Sequence, residues 1–104
     1  MVLVESRSTL DKDKLAEYTK CAKEEIIPYW LSVPGMKELR AYREQGSFRV
    51  LVETEFDSLE SWGKAMDNPK TKEIMSKWAL YTHDFEWKMW DVSPLIPQPL
   101  KPKK

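Results

Sequence analysis

Two extended segments joined by a tight turn constrain this chain more than any other feature. Residues 36–44 and 47–56 flank Gln45-Gly46, and Gly46 supplies the positive φ that a tight hairpin turn requires. In the second segment, alternate residues suit a buried face, namely Phe48, Val50, Val52, Thr54 and Phe56. The pattern predicts an antiparallel hairpin with one face against a core.

A strand pattern followed by a helix pattern precedes this hairpin. Residues 2–8 alternate as a strand does, and either Thr9 or Asp11 can cap a following helix. Apolar residues then recur at three- and four-residue spacing, at Leu15, Tyr18, Ala22, Ile26 and Tyr29. Pro28 lacks an N–H group, so we expect the helix to end or kink there.

A second helix and a last strand follow the hairpin. Asp57 and Ser58 open the helix, and its expected buried side comprises Leu59, Trp62, Ala65 and Met66. Asn68-Pro69 interrupts it and begins a further helical segment. Residues 84–92 alternate as a strand, whereas residues 93–104 contain four prolines and three lysines, typical of an extended or disordered tail.

The order of elements is therefore β-α-β-β-α-β. It predicts an α+β, ferredoxin-like domain over residues 1–92 with a four-stranded antiparallel sheet, and a proline- and lysine-rich tail over residues 93–104. A chain of 104 residues is long enough for one such domain.

Composition excludes several classes of function. Seventeen basic and seventeen acidic residues cancel, which argues against nucleic acid as a partner. No apolar run is long enough to span a membrane, and residues 1–7 lack a signal-peptide pattern, so we expect a cytoplasmic protein. The single cysteine, Cys21, offers neither an internal disulfide nor a thiolate metal cluster.

The sheet face away from the helices predicts self-association. Its apolar residues are Leu3, Tyr42, Leu51 and Trp90, and its charged residues are Glu5, Arg7, Arg40, Arg49, Glu53, Glu86 and Lys88. A solvated face seldom carries so many large apolar groups, and charges of both signs can pair across a two-fold axis. We therefore expect a homodimer through the sheet face; the alternative is a solvated face with scattered aromatics.

These patterns resemble the dimeric α+β-barrel superfamily. The resemblance rests on the order of elements, Pro34-Gly35 before the hairpin, Phe56-Asp57-Ser58 after it, Trp62 and Asn68-Pro69. That superfamily includes antibiotic-biosynthesis-monooxygenase-like, stress-responsive and haem-degrading proteins. The resemblance implies two sheets closing into a barrel across a dimer, and a ligand cavity between sheet and helices.

Two departures from the superfamily bear on chemistry. Some relatives carry a histidine shortly after the proline of the second helix, where this chain has Lys70-Thr71. Haem-degrading members use an Asn, His and Trp set, and the first strand here contains no Asn. The resemblance therefore implies neither that histidine base nor haem degradation.

His83 is the candidate catalytic residue. It is the chain's one histidine, and histidine titrates near neutrality. It follows Tyr81 and precedes Asp84, either of which can orient it as a general base or proton shuttle, with Tyr81 a second catalytic candidate. The alternative is a partly exposed loop histidine.

Aromatic residues on the inner sides of the helices form the candidate ligand site. The candidates for ligand contact are Tyr18, Trp30, Trp62 and Trp78, with Tyr29 and Tyr81 in the same set. If the rings do not interdigitate fully, they line a slot for a flat, apolar aromatic molecule; otherwise they are core. The leading hypothesis is a small-molecule binder or a monooxygenase-like enzyme that needs no cofactor or metal. The alternative is a non-catalytic dimerisation or ligand-sensing module.

Overall fold

Four strands and two helical arms follow one another in the computed structural model, which describes residues 1–96 and 99–103. The elements are β1 (Val2–Leu10), a 3-10 turn (Lys12–Lys14), α1 (Leu15–Cys21), a π-helical turn (Ala22–Ile26), α2 (Ile27–Ser32), β2 (Met36–Arg43), β3 (Arg49–Phe56), α3 (Leu59–Asp67), α4 (Pro69–Ala79) and β4 (Thr82–Asp91). The predicted ferredoxin-like order is confirmed.

The sheet has the order β2-β3-β1-β4, and all its pairings are antiparallel. Because Val4 lies opposite Thr54 and Ser6 opposite Val52, the even-numbered residues of β1 and β3 share one face. The helical arms cover that face, and Phe56 and Ile26 are almost fully buried between the layers. We call it the covered face and the opposite one the uncovered face.

The first helical arm continues through Pro28 instead of ending there. A π-helical turn occupies residues Ala22–Ile26, and the Ile27 N–H donates to the Ala22 carbonyl five residues back. Because Pro28 has no N–H to offer the Glu24 carbonyl, the widened turn redistributes the hydrogen bonds around it. The arm remains helical to Ser32 and keeps Tyr29 and Trp30 against the core.

The second arm consists of two helices with separate caps. The Ser58 side chain accepts a hydrogen bond from the Ser61 N–H, and the Asn68 side chain accepts one from the Lys70 N–H. Thr71, at the start of α4, is fully buried and donates to the Ala65 carbonyl at 2.5 Å. The Tyr29 hydroxyl hydrogen-bonds Thr71 Oγ1, which joins the two arms.

Three local predictions are wrong: a side-chain cap from Thr9 or Asp11, burial of Phe48 and burial of Leu59. Thr9 belongs to β1, and Asp11 makes no capping hydrogen bond because its carboxylate is used elsewhere. Phe48 lies outside β3 and is 36% exposed, since the turn extends to residue 48. Leu59 is 59% exposed, because only the Trp62 and Ala65 side of α3 meets the core.

Beyond Asp91, the described residues 92–96 and 99–103 form neither helix nor strand. The tail prediction also covers residues 97, 98 and 104, which lie outside the described residues. Within the described part of the chain, no helix has the length and apolarity needed to cross a membrane.

Candidate functional site

A cavity of about 450 Å³ lies between the helical arms and the covered face. Its floor consists of alternate residues on neighbouring strands, and the row Ala41, Val52, Ser6 and Trp87 crosses all four of them. A second row contributes Leu39, Thr54 and Val4. Small side chains at Ala41 and Ser6 leave the space that larger ones would fill.

The helices form the opposite wall, which is mostly apolar. The wall residues are Tyr18, Ile26, Ile27, Trp30, Trp62, Met66, Ile74, Met75, Trp78 and Ala79. The volume falls in the range of small-molecule sites, which are typically about 300–1,000 Å³ and lined by hydrophobic and aromatic side chains. The aromatic residues therefore do not fill the space between the layers.

All four residues predicted to contact a ligand line this cavity: Tyr18, Trp30, Trp62 and Trp78. Tyr18 meets Trp78 edge to face, with ring centroids 5.6 Å apart. Burial raises the pKa of the Tyr18 hydroxyl, with a smaller contribution from Cys21, so the hydroxyl remains a donor at neutral pH. Contact of these residues with a ligand stays a prediction.

Sequence reasoning missed Phe85 and Trp87 as lining residues of the cavity. Trp87 lies 5.7 Å from Trp62 between ring centroids and is half exposed, as is Phe85. Alternation along the last strand was a usable signal, because it places both rings on the face that the helices cover. What the alternation did not show is that β4 is an edge strand, where the helical arms cover the sheet incompletely.

His83 lies in the cavity lining, with 54% of its side chain exposed. Its Nδ1 is 2.6 Å from Asp11 Oδ1, while Nε2 is 3.9 Å from Asp84 Oδ2. When Nδ1–H donates to Asp11, the neutral ring has a free acceptor at Nε2. The carboxylate that orients His83 therefore comes from residue 11, and Asp84 is the more distant of the two.

Backbone pairing brings Asp11 to His83. Thr9 and Leu10 pair with His83 and Thr82, and the Asp11 N–H continues the ladder by donating to the Tyr81 carbonyl at 2.8 Å. The end of β1 thus lies beside the start of β4. This contact spans 72 residues, so spacing along the chain gave no signal for it.

Tyr81, the second catalytic candidate, does not line the cavity. Its ring packs against Tyr18 with centroids 6.2 Å apart, and no hydrogen bond joins it to His83 among the described residues. Its backbone carbonyl, not its hydroxyl, contributes to the site by holding Asp11. The catalytic role predicted for the Tyr81 side chain stays a prediction.

One buried donor in this region has no acceptor. Trp78 Nε1 is inaccessible and has no hydrogen-bond partner in the described part of the chain. Leaving such a group unpaired in a protein interior has a free-energy cost. Across residues 1–96 and 99–103, no group of three or more His, Cys, Asp or Glu residues is placed to hold a metal ion.

The fold matches that of ferredoxin-like α+β proteins of known structure, among them antibiotic biosynthesis monooxygenases and candidates for that activity. At the level of the fold of a single chain, this similarity confirms the resemblance predicted from the sequence. No protein-family model matches the sequence, and no curated protein matches it.

Three solved structures illustrate this similarity of fold. SnoaB, a cofactor-independent oxygenase from Streptomyces nogalater, has a TM-score of 0.72 at 12% identity, over 93% of this chain and 97% of its own. A candidate antibiotic biosynthesis monooxygenase from Deinococcus radiodurans has a TM-score of 0.76 at 10% identity, over 93% and 97%. A further candidate from Bacteroides thetaiotaomicron has a TM-score of 0.67 at 25% identity, over 98% and 95%.

Proposed function

We propose that this protein binds a flat, apolar aromatic molecule in the cavity and oxygenates it as a cofactor-independent monooxygenase-like enzyme. The observation that carries the proposal is the cavity of about 450 Å³, whose mostly apolar lining contains His83, itself hydrogen-bonded to Asp11. The fold shared with SnoaB, a cofactor-independent oxygenase, supports the reaction type.

His83 is the proposed general base. With Nδ1–H held by Asp11, Nε2 accepts a proton from an acidic ring CH₂ or hydroxyl of the ligand. The resulting electron-rich anion reacts directly with O₂. For a ring CH₂ beside a carbonyl, the balance is R₂CH₂ + O₂ → R₂C=O + H₂O, with one oxygen atom in each product. Where the apolar walls enclose the ligand, they limit contact between the anion and bulk water.

Ligand binding can be tested with a cavity-filling variant and a matched control. The probe is 9-anthrone, and the readout is quenching of tryptophan fluorescence, since Trp62 and Trp87 line the cavity. We expect Val52→Phe, on the floor, to raise the Kd about 10-fold or more by filling the site. The control is Leu51→Phe. Leu51 directly precedes Val52 on β3 but lies on the uncovered face, so this substitution should leave the Kd unchanged. Equal effects of the two would contradict binding in this cavity.

Turnover is tested with the same probe under air. The expected products are anthraquinone and water, with one O₂ consumed per molecule oxidised. His83→Ala should lower the rate about 100-fold or more, as loss of a general base does, and should leave the Kd within about twofold, since the apolar and aromatic lining residues are unchanged. Tight binding without O₂ uptake by the unsubstituted protein would instead favour a ligand-sensing module.

We also propose that the protein is a homodimer through the uncovered face. Tyr42 and Trp90 on that face are each 48% exposed, which is unusual for large aromatic side chains on a fully solvated sheet. Glu5 and Glu53 lie opposite one another, which is unfavourable for like charges; Arg7 pairs with Glu5 at 2.8 Å, whereas Glu53 has no ion pair among the described residues and could accept a countercharge from a partner. Native mass spectrometry gives the mass of the assembly and of any retained ligand; a monomer at micromolar concentration would contradict this proposal.

A further inference from the structure

A distortion in β4 sits directly beside His83. The pairing of β1 with β4 shifts register between Arg7 and Thr9, and Asp84 has φ 53°. Among the described residues, Asp84 is the one non-glycine with positive φ. Residues other than glycine rarely adopt this backbone conformation, so we expect contacts around Asp84 to hold it in place.

Arg49 supplies three such contacts from the uncovered face. Its Nη1 donates to the Asp84 carbonyl at 2.8 Å and to Thr9 Oγ1 at 3.1 Å. Its Nη2 pairs with Glu86 at 3.1 Å, on the other side of the distortion. The guanidinium therefore reaches from β3 across β1 and clamps β4 immediately after His83. Its side chain is 28% exposed, which is consistent with a fixed position.

We propose that Arg49 is a positioning residue for His83. Asp11 fixes the imidazole ring through Nδ1, and Arg49 holds the backbone carbonyl of Asp84, the residue directly after His83. A planar guanidinium makes these bonds simultaneously, whereas a lysine ammonium is a point donor on a flexible stem. The inference rests on the proposed function only insofar as it assigns His83 a proton-transfer role.

The chain contains one histidine, so its imidazole N–H signal can be followed by NMR without assignment ambiguity. The charged groups around the ring are Asp11 and Asp84 in direct reach, with Lys14 3.8 Å from Asp11. At fixed pH we expect a slowly exchanging Nδ1–H signal in the unsubstituted protein, because Asp11 accepts that proton. Arg49→Met should broaden this signal, and Arg49→Lys should restore it in part. Asp11→Asn is the positive control for its loss.

Arg40→Met is the matched control, because Arg40 also lies on the uncovered face but pairs with Glu38, away from the distortion. It should leave the imidazole signal unchanged. With 9-anthrone, Arg49→Met should lower kcat about 10-fold through misplacement of the base and leave the Kd within about twofold. An unchanged imidazole signal and kcat in folded Arg49→Met would overturn the positioning role. If the unsubstituted protein does not turn over 9-anthrone, the proposed reaction fails, while the imidazole signal still tests the positioning by itself.

Discussion

The two faces of the sheet are formed by the same four strands but differ in the charge of their side chains. On the covered face, one row across β2, β3, β1 and β4 reads Ala41, Val52, Ser6 and Trp87. The adjacent row on the uncovered face reads Arg40, Glu53, Glu5 and Lys88. A row of uncharged side chains can line an apolar cavity with a small desolvation free energy. A row with charges of both signs must stay solvated or meet a surface of complementary charge.

This difference assigns separate roles to the two faces. The covered face stabilises the fold and bounds the cavity, and the uncovered face is available for association. Arg49 is the exception, because it lies with the charged residues and yet contacts the backbone beside His83. The two faces are therefore connected at the end of the sheet where β4 begins.

The prediction with the largest expected effect tests whether burial on the covered face stabilises the fold. Phe56 is 1% exposed at the end of β3, so Phe56→Ala should lower the free energy of unfolding by about 3–5 kcal/mol through lost burial and a residual cavity. Urea denaturation followed by far-UV circular dichroism measures this. The control is Phe48→Ala, the same substitution at a 36% exposed ring, which we expect to cost about 1 kcal/mol. Similar costs for the two would mean that burial does not distinguish them.

A second prediction tests the uncovered face as an interface. Trp90 is half exposed and lies opposite Leu3, and a tryptophan at the centre of an interface commonly contributes 2 kcal/mol or more. Trp90→Glu should therefore raise the dimer dissociation constant about 30-fold or more, measured by analytical ultracentrifugation. Leu31→Glu introduces the same charge at a 61% exposed position on α2 and should not change it. Dissociation by Leu31→Glu alone would place the contact on the helices.

Sequence patterns predicted the sheet better than the site, and particular residues show why. Alternation assigned Val4, Ser6, Val52 and Thr54 to one face, because a period of two is a local property of a strand. The His83–Asp11 contact depends on which strands pair and where, information that a period does not contain. The π-helical turn before Pro28 was equally inaccessible, since several hydrogen-bonding patterns can accommodate a missing N–H.

A third prediction concerns the junction of the two helical arms above the covered face. Thr71 Oγ1 donates to the Ala65 carbonyl and accepts from the Tyr29 hydroxyl, so Thr71→Val leaves both groups without this partner. We expect a loss of about 1–3 kcal/mol in the free energy of unfolding, measured in urea. Ser76→Ala removes an exposed hydroxyl that bonds the Lys72 carbonyl and should have little effect. Tyr29→Phe combined with Thr71→Val should cost less than the sum of the single variants, because the two groups are partners.

The smallest expected effect lies away from both sheet faces, where α4 meets the π-helical turn. Hydrogen bonds from Lys77 and then from the Cys21 thiol lower the pKa of the Glu25 carboxyl, and the bond to Glu25 raises the pKa of Lys77. Glu25 therefore contributes stability above its unfolded pKa of about 4.3, and this contribution is lost as the pH falls through its lower folded value. Lys77 contributes stability below its unfolded pKa of about 10.4 and loses that contribution as the pH rises through its higher folded value.

Glu25→Gln should lower the urea midpoint at pH 7 and leave it unchanged at a pH below the folded pKa of Glu25. The control is Glu24→Gln at the exposed neighbouring position, which should change the midpoint at neither pH. An equal loss at both pH values would mean that packing, rather than the ion pair, accounts for the effect of Glu25.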